Sequence, residues 1–320
     1  MLHLFLYYSI MNDIRWPQFL KAGDRVAIVA TARHANEEDI QKGVNYLESW
    51  GLKVEQADNL SQQHFIFAGT ESARRSGLQK AIDDPGIKAI FCLRGGNGTH
   101  RLIDFIHLKN LKKHPKWIIG YSDVTVLLNH VAQYRIPSIH GPMPFSMYKD
   151  KEQEGASALR KVLFGELPEY SFPSHALNQL GTAEGKLIGG NLAVLHSLIS
   201  TPSDITWKNK ILFIEEVDEY IYHLDRMLYH FSRTGRMKGL SGLVVGHLSS
   251  MKDNLEPFGL SAQEVVARIV KPYKIPLAFS FPTGHELPNM PLVIGAMVKL
   301  EVSEQKSKLT FKMNNNKDKI

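Results

Sequence analysis

The chain has 320 residues, of which 43% are hydrophobic and 22% are charged. This is the composition of an ordinary globular protein, and it excludes a wholly disordered chain, a collagen-like repeat and a coiled coil. The length is about twice that of a common single domain, so two domains are predicted, with one large domain as the alternative. Cys92 is the sole cysteine, which excludes an intramolecular disulfide and a cysteine-based metal site. It also indicates a reducing compartment, the cytoplasm.

The net charge is +6, from 38 basic and 32 acidic residues. Because Lys and Arg are scattered and form no long basic block, no nucleic-acid partner is expected. The apolar start at residues 1–11 lacks a positively charged segment and is too short to span a bilayer. No other stretch reaches the ~20 apolar residues of a membrane helix, so no membrane partner is expected either.

The first half of the chain alternates predicted strands and helices. Strands are predicted over residues 26–30, 52–56, 88–93 and 117–120, the first of them a continuous apolar run typical of a buried parallel strand. Helices are predicted over residues 37–50 and 72–83. This alternation predicts a mostly parallel sheet with helices on both faces.

The character of the sequence changes near residue 150, where a charged helix opens and a polar, proline-containing segment follows. The predicted domains are residues 17–150 and 181–310, joined by a linker at residues 151–180 and followed by a polar tail at residues 311–320. In the second domain, strands are predicted over residues 181–188, 210–215, 242–247, 276–281 and 293–302. Helices are predicted there over residues 192–200, 222–234 and 261–270.

The segment around Ser122 carries the sharpest local signal. A strand of β-branched residues stops at Gly120 and an amphipathic helix begins just after Asp123, which places Ser122 at the tip of a tight turn. Such a turn exposes a nucleophilic hydroxyl and presents the following backbone N–H, at the start of a helix, to an oxyanion. The alternative is that Ser122 or Asp123 only caps the helix, which is the commoner role of these residue types.

A Gly-rich turn at residues 94–98 follows another predicted central strand and belongs at the same edge of the sheet. Glycines there let backbone N–H groups approach a ligand closely. The turn lacks the Lys-Ser/Thr of a phosphate loop and the third glycine of a dinucleotide fingerprint. The sequence therefore predicts no nucleotide cofactor, and Gly96 is a candidate oxyanion donor.

A serine nucleophile needs a base and an orienting carboxylate. Among 14 histidines, His285 follows a predicted strand in a turn, and no pair has the H-E-x-x-H spacing of a zinc site, so no metal is predicted. Glu215 ends an apolar strand, although an acidic run is also typical of a solvated loop. The order Ser122, Glu215, His285 is that of nucleophile, acid and base in α/β-hydrolases.

Taken together, these segments resemble the LD-carboxypeptidase family of serine peptidases, which includes murein tetrapeptide carboxypeptidases and microcin-immunity peptidases. The resemblance spans about residues 20 to 302. Its motifs are FAGT from Phe67, LRGGNG from Leu93, GYSDVT from Gly120, HGPM from His140, GGNL from Gly189, LFIEEVDE from Leu212, LDRML from Leu224 and GHE from Gly284.

The resemblance implies an α/β protein with a flavodoxin-like parallel-sheet N-terminal domain and a C-terminal α/β domain with a small β-barrel-like core. It implies a catalytic triad of Ser122, Glu215 and His285, and an oxyanion hole formed by the backbone N–H groups of Gly96 and Asp123. The sequence departs from the family at Glu216, where Asp is common, and in a lengthened turn before Leu224.

The resemblance further implies hydrolysis, without a cofactor, of the amide between an L-centre, diaminopimelate or Lys, and the terminal D-Ala of a murein tetrapeptide during cell-wall recycling. A homodimer is also expected. Because a carboxypeptidase must bind a free carboxylate, cationic groups near the Gly-rich turn are candidates. The candidate substrate-binding residues are Arg94, Asn97, Arg101, Asn191 and Tyr222. Surface solvation is the alternative for the two arginines, and helix capping is the alternative for Asn191.

The sequence leaves two other functions open. One is an immunity-type peptidase that cleaves a peptidyl-nucleotide antibiotic, for which Tyr220 and Tyr222 offer aromatic rings that can stack on a base. The other is a non-catalytic peptide-binding protein on the same fold, in which Ser122 is only a helix cap.

Overall fold

Two β-sheets organise the protein, for which a computed structural model describes residues 14–149 and 153–313. Three predictions lie wholly or partly outside the described residues: the apolar start at residues 1–11, the opening of a charged helix at residues 150–152 and the end of the polar tail at residues 314–320. In the described ranges, no helix is both long and apolar enough to cross a membrane. The homodimer and the cytoplasmic location stay predictions.

The first sheet has the strand order β11-β5-β4-β3-β1-β2. Its parallel strands are β1 (Arg25–Val29), β2 (Lys53–Gln56), β3 (Ile87–Cys92), β4 (Trp117–Gly120) and β5 (Ser138–His140). Strand β11 (Leu292–Ile294) comes from the far end of the chain and adds to β5 in the antiparallel direction. The intervening helices are α1 (Glu37–Glu48), α2 (Glu71–Asp83), α3 (Lys109–Lys113), α4 (Thr125–Ala132) and α5 (Pro144–Met147). The predicted parallel sheet is confirmed.

Apolar patterning explains these elements. Strands β1, β3 and β4 are apolar runs that are buried almost throughout, as expected of central strands covered on both faces. In α1, Ile40, Val44 and Leu47 face the core at helical spacing. Asn36 caps the helix, because its side chain accepts the N–H of Asp39 at 2.8 Å.

The second sheet has the strand order β10-β9-β8-β7-β12-β13-β6. Its parallel strands are β7 (Gly181–Asn191), β8 (Lys210–Val217), β9 (Gly242–Ser249) and β10 (Leu277–Ala278). Its antiparallel strands are β12 (Met297–Val302), β13 (Lys306–Lys312) and β6 (Glu169–Pro173). The helices of this half are α6 (Gln153–Leu163), α7 (Leu192–Ser197), α8 (Ile221–Arg233) and α9 (Ala262–Val270).

The second sheet curls until its two ends meet. The ring of Phe172 on edge strand β6 lies 5.2 Å, between centroids, from the ring of Phe281, just beyond edge strand β10. Tyr170 lies 5.1 Å from the same ring. These contacts close the barrel-like core that the resemblance implied.

The segment predicted as a linker, residues 151–180, contains helix α6 and strand β6. Helix α6 buries Leu159 and Leu163 in the hydrophobic core, and β6 is a strand of the second sheet. The strand was hidden because only two of its five residues, Tyr170 and Phe172, are apolar and buried, in a segment that also contains proline.

Other boundaries moved for local reasons. The strand predicted over residues 293–302 is two strands in different sheets, because Gly295 turns the chain at φ 88° between β11 and β12. Strand β13 crosses the predicted start of the tail at residue 311. The helix predicted over residues 192–200 ends at Ser197, and only Leu277–Ala278 of the strand predicted over residues 276–281 pairs.

Helix α4 bonds the first sheet to the second. Asn129 Nδ2 donates to Gly189 O at 2.8 Å, and its Oδ1 accepts the Gly189 N–H at 3.1 Å. Thr125 Oγ1 accepts the N–H of Asn191 at 3.1 Å. Gly190, at φ 142°, permits this approach, because a Cβ there would lie 2.7 Å from Thr125 Cγ2. The carboxyl end of β7 is therefore fixed against α4.

Replacing Gly190 by alanine tests this contact. We expect Gly190→Ala to lower the free energy of unfolding by about 3 kcal/mol, because it adds a clash with Thr125 to the strain of a positive φ. Gly235→Ala is the matched control, since Gly235 has φ 73° with nothing within 4 Å of a built Cβ. The Gly235→Ala change should lower the free energy of unfolding by only about 1 kcal/mol. Urea unfolding measures both, and equal losses would contradict the close approach.

Candidate active site

Ser122 lies where strand β4 turns into a helix. Strand β4 ends at Gly120, and Ser122 has a φ of 61°, a left-handed angle that is uncommon for residues other than glycine. A short 3₁₀ turn, Ser122–Val124, precedes α4, and neither of these two helical segments has a side-chain cap. Ser122 therefore does not cap the helix, and its strained, partly exposed position is that of a nucleophile elbow.

The Gly-rich turn packs directly against Ser122. A Cβ at Gly95 would lie 2.9 Å from Ser122 Cβ and 3.1 Å from Ser122 Oγ, so a larger residue there would displace the serine. The carboxylate of Asp123 does not cap its own helix either, because Oδ2 accepts the N–H of Thr99 at 2.9 Å. These contacts hold the turn at residues 94–98 beside Ser122.

Two backbone N–H groups at this junction have no partner among the described residues. They belong to Gly96, at φ 125°, and to Asp123, the second residue of the 3₁₀ turn. The first N–H groups of a helical segment are left without an internal acceptor, and they carry partial positive charge. An anionic oxygen is the partner that such groups favour.

Glu215 and His285 form a buried pair. His285 Nδ1 lies 2.7 Å from Glu215 Oε2, and the Glu215 side chain is fully buried while that of His285 is 19% exposed. Burial lowers the pKa of His285, but the hydrogen bond to Glu215 and the negative charges of Glu215 and Glu216 outweigh burial and raise the pKa overall. His285 is therefore a stronger base than an ordinary buried histidine.

The adjacent acids have different partners, because successive residues of a strand point to opposite faces. Glu216 accepts hydrogen bonds from Asn191 Nδ2 at 2.9 Å and from the N–H groups of Ala193 at 2.7 Å and Val217 at 2.9 Å. Burial raises the pKa of Glu216, and these bonds act against it. Glu216 thus holds the start of α7, whereas Glu215 holds the histidine.

Both polar atoms of the Asn191 side-chain amide form hydrogen bonds. Its Oδ1 accepts the N–H of Val194 at 3.1 Å and caps α7, its Nδ2 donates to Glu216, and the residue is 6% exposed. Of the two roles that the sequence left open, helix capping is the one that the structure contains.

The turn with Ser122 meets the turn with His285 through Tyr121. The ring centroids of Tyr121 and His285 are 5.1 Å apart. Within residues 14–149 and 153–313, Ser122 Oγ makes no hydrogen bond to His285. Catalytic hydrogen bonds are often long in unliganded enzymes and tighten when substrate binds. The structure joins Glu215 to His285 directly and places Ser122 one residue from the ring that His285 contacts.

His140 is a titratable residue beside this pair that the sequence marked only through the HGPM motif. It ends strand β5 and is fully buried, with its ring centroid 5.8 Å from that of Tyr121 and 5.0 Å from that of Phe213. Burial lowers the pKa of His140 to about 4, with Glu215 acting against burial and His285 acting with it. His140 is therefore a neutral imidazole at neutral pH.

The two predicted arginines are both engaged within the protein. Arg101 Nη1 lies 3.0 Å from Glu71 Oε1 in an exposed ion pair. Arg94 Nη1 donates to His34 O at 3.1 Å, and its guanidinium lies 4.1 Å from the centroid of the Phe145 ring. Neither guanidinium is left entirely to a ligand.

Asn97 and Tyr222 are exposed. Asn97 lies in the Gly-rich turn and makes no hydrogen bond in the described part of the chain. The ring of Tyr222 lies 5.5 Å from that of Tyr220, and the Arg226 guanidinium lies 5.3 Å from its centroid. Both predicted residues remain accessible to a ligand.

Sequence reasoning missed Arg33. Its aliphatic stem covers the Gly-rich turn so closely that a Cβ at Gly96 would overlap Cγ and Cδ of Arg33. The signal that could have found Arg33 is its position just after β1, at the carboxyl edge where parallel sheets bind ligands. For metals, the described residues contain no group of three or more His, Cys, Asp or Glu side chains arranged to hold an ion.

The two histidines at this junction should titrate differently. We expect His285 to take up a proton at a pH above that of an ordinary histidine, and His140 to stay neutral at every pH above about 5. Long-range ¹H–¹⁵N NMR spectra of the imidazoles between pH 5 and 9 measure both. A His140 ring that titrates near pH 6.5 would contradict its burial in the core.

The chain has extensive similarity to known proteins. The sequence models of the LD-carboxypeptidase N-terminal and C-terminal domains match residues 26–141 and 184–300. A Bacillus subtilis protein named "Probable murein peptide carboxypeptidase" is 32% identical over 294 residues, covering 90% of this chain and 92% of the relative. The murein tetrapeptide carboxypeptidase of Pseudomonas aeruginosa is 28% identical, covering 87% of this chain and 93% of the relative.

Solved structures share the fold. The muramoyltetrapeptide carboxypeptidase of Oxalobacter formigenes superposes with a TM-score of 0.82 at 27% identity, covering 90% of this chain and 99% of its own. The microcin C7 self-immunity protein MccF also gives 0.82, at 20% identity, covering 94% of this chain and 99% of its own. The family matches extend over both halves of the site. This chain therefore belongs to the LD-carboxypeptidase family and is a peptidase of the serine type.

Proposed function

We propose that the protein hydrolyses the amide between an L-centre, diaminopimelate or Lys, and the terminal D-Ala of murein tetrapeptides, with Ser122, His285 and Glu215 as a catalytic triad. The observation that carries this proposal is the buried contact of 2.7 Å between His285 Nδ1 and Glu215 Oε2, together with the ring contact of His285 with Tyr121, the residue before Ser122. The names of the murein carboxypeptidases among the relatives support the substrate class.

The Glu215 contact sets the tautomer of the histidine. When Nδ1–H donates to the carboxylate, Nε2 carries the free lone pair and accepts the hydroxyl proton of Ser122. The carboxylate also stabilises the imidazolium that forms, which agrees in direction with the raised pKa of His285. Glu215 itself stays ionised in this mechanism.

The attack of Ser122 Oγ on the amide carbonyl places a negative charge on the carbonyl oxygen. The N–H groups of Gly96 and Asp123 are the proposed donors to this oxygen, because no other described group uses them. Each such donor contributes about 3 kcal/mol to the transition state in comparable sites.

The reaction then proceeds in two steps, formation of an acyl-enzyme and its hydrolysis. In the first, the C–N bond breaks, the proton held on His285 passes to the D-Ala amine, and the peptide remains esterified to Ser122. In the second, His285 takes a proton from water, the hydroxide attacks the ester, and the proton returns to Ser122 Oγ. Free D-Ala and the shortened tripeptide are the products.

A peptidyl-nucleotide is the second candidate substrate. Tyr220 and Tyr222 carry exposed rings with centroids 5.5 Å apart, and exposed aromatic rings can stack on a nucleobase. The shared fold with the microcin immunity protein is compatible with this substrate. A non-catalytic role is disfavoured, because Ser122 caps neither helical segment.

The decisive experiment is incubation with the tetrapeptide L-Ala-γ-D-Glu-meso-diaminopimelate-D-Ala and detection of free D-Ala by mass spectrometry. We expect release by the wild-type protein and none by Ser122→Ala, because the nucleophile is lost. Retained binding of the tetrapeptide by Ser122→Ala, measured by calorimetry, shows that the variant is folded. Unchanged turnover by Ser122→Ala refutes the triad, and cleavage of a peptidyl-nucleotide alone favours the second substrate.

The two adjacent acids provide a matched pair of variants. We expect Glu215→Gln to lower kcat by about 10³- to 10⁴-fold, because an amide no longer fixes the histidine tautomer or stabilises its charge. We expect Glu216→Gln to lower the free energy of unfolding by about 1 to 3 kcal/mol with kcat close to wild type, because Glu216 binds α7 instead. Steady-state kinetics and urea unfolding distinguish them, and the opposite assignment of effects would exchange the proposed roles.

A further inference from the structure

A carboxypeptidase has to distinguish a free terminal carboxylate from a continuing chain. In the proposed substrate, the terminal carboxylate carbon lies about 4 Å from the carbonyl that Ser122 attacks. A cation close to the oxyanion donors is therefore needed, and the planar fork of arginine matches a carboxylate best. Four arginines lie around the Gly-rich turn. They differ in whether the guanidinium group is already bound to other parts of the protein.

Three of these guanidinium groups are already engaged. Arg74 is 1% exposed and donates to Thr31 O at 2.8 Å and to Gly98 O at 3.2 Å. Arg101 is paired with Glu71, and Arg94 donates to the backbone at 3.1 Å and lies on an aromatic ring. Each of them supports the protein itself.

Arg33 is different. It is exposed, and its guanidinium has no hydrogen bond and no ion pair among the described residues. Its aliphatic stem lies over Gly96, one of the two oxyanion donors, and a built Cβ at the preceding Gly95 is 3.1 Å from Ser122 Oγ. Ser122 and Arg33 therefore both pack on the same pair of adjacent glycines.

The acids around the turn do not neutralise Arg33. Asp39 is hydrogen-bonded by the Tyr148 hydroxyl, Glu71 is paired with an arginine, and Asp123 accepts the N–H of Thr99. Burial and then the positive charge of Arg33 lower the pKa of Arg94, and the charge of Asp39 acts against them. Arg33 itself has no ion pair with any of these acids, so its positive charge is available to attract an anion.

We infer that the guanidinium of Arg33 binds the terminal carboxylate of the substrate and makes the enzyme an exopeptidase. This inference rests on the proposed function, and it replaces Arg101 and Arg94 as the principal carboxylate partner. An amide or a longer chain at this position loses the ion pair, because neither carries the negative charge that the fork recognises.

The test compares two substrates that differ only in this charge, the tetrapeptide ending in D-Ala and the same peptide ending in D-alaninamide. We expect Arg33→Gln to lower kcat/KM for the acid by about 10- to 100-fold, the range for a hydrogen bond to a charged group. For the peptide ending in D-alaninamide, kcat/KM should be nearly unchanged. The variant should therefore no longer prefer the peptide that ends in D-Ala. Arg33→Lys should recover part of that preference, because the charge remains without the fork.

Arg75→Gln is the matched control, because Arg75 is an exposed arginine of α2 whose guanidinium lies over the Phe105 ring at 5.4 Å. It removes the same charge and should leave the acid-to-amide ratio as in the wild type. The inference is overturned if Arg33→Gln lowers both substrates equally, if it changes neither, or if Arg101→Gln alone abolishes the preference.

A binding measurement separates this inference from the proposed function. In the Ser122→Ala background, calorimetry should show tighter binding of the acid than of the amide, and Arg33→Gln should remove the difference. If the wild type releases no D-Ala, the proposed function fails while this measurement still tests Arg33. If D-Ala is released and the binding preference survives Arg33→Gln, the inference alone fails.

Discussion

The contact between helix α4 and the end of strand β7 is the constraint on which the rest of the site depends. The helix follows the serine turn of the first sheet, and the strand lies beside β8, which carries Glu215. Asn129 and Thr125 are hydrogen-bonded to Gly189 and Asn191 of β7, and Gly190 between them lacks the side chain that would keep the elements apart. The relative position of Ser122 and Glu215 therefore follows from packing and from hydrogen bonds to the backbone of β7.

The two adjacent glutamates of β8 hold different parts of the structure, Glu215 the proposed base and Glu216 a helix. Alternation along β8 sends Glu215 toward His285 and Glu216 toward the first turn of α7. Both carboxylates are buried, so each needs its own polar partners. The loop that carries His285 is ordered in the same way, because Asn289 accepts hydrogen bonds from the Thr283 hydroxyl at 2.7 Å and from the Gly284 N–H at 3.2 Å.

Much of this arrangement could be predicted from the sequence, and the remainder depends on contacts between distant segments. Apolar runs predicted the central strands, and the motifs predicted Ser122, Glu215 and His285 as the candidate triad, of which the structure shows the contact between Glu215 and His285. Strand β6 has few apolar residues and lies at an edge, β11 has only three residues, and β13 is mostly polar, so pairing with distant segments decides all three. Arg33 carries no motif, and its place beside Gly96 appears only once β1 and β3 are adjacent.

Strand β11 connects the loop that carries His285 to the first sheet. The chain leaves His285, which is held in the second sheet by Glu215, and only a few residues later enters β11 beside β5 of the first sheet. The loop between them is therefore short and held in both sheets. The hydroxyl of Tyr170 also donates a hydrogen bond to Pro291 O in this loop, at 2.7 Å. Any movement of the two sheets away from each other would therefore displace the imidazole of His285.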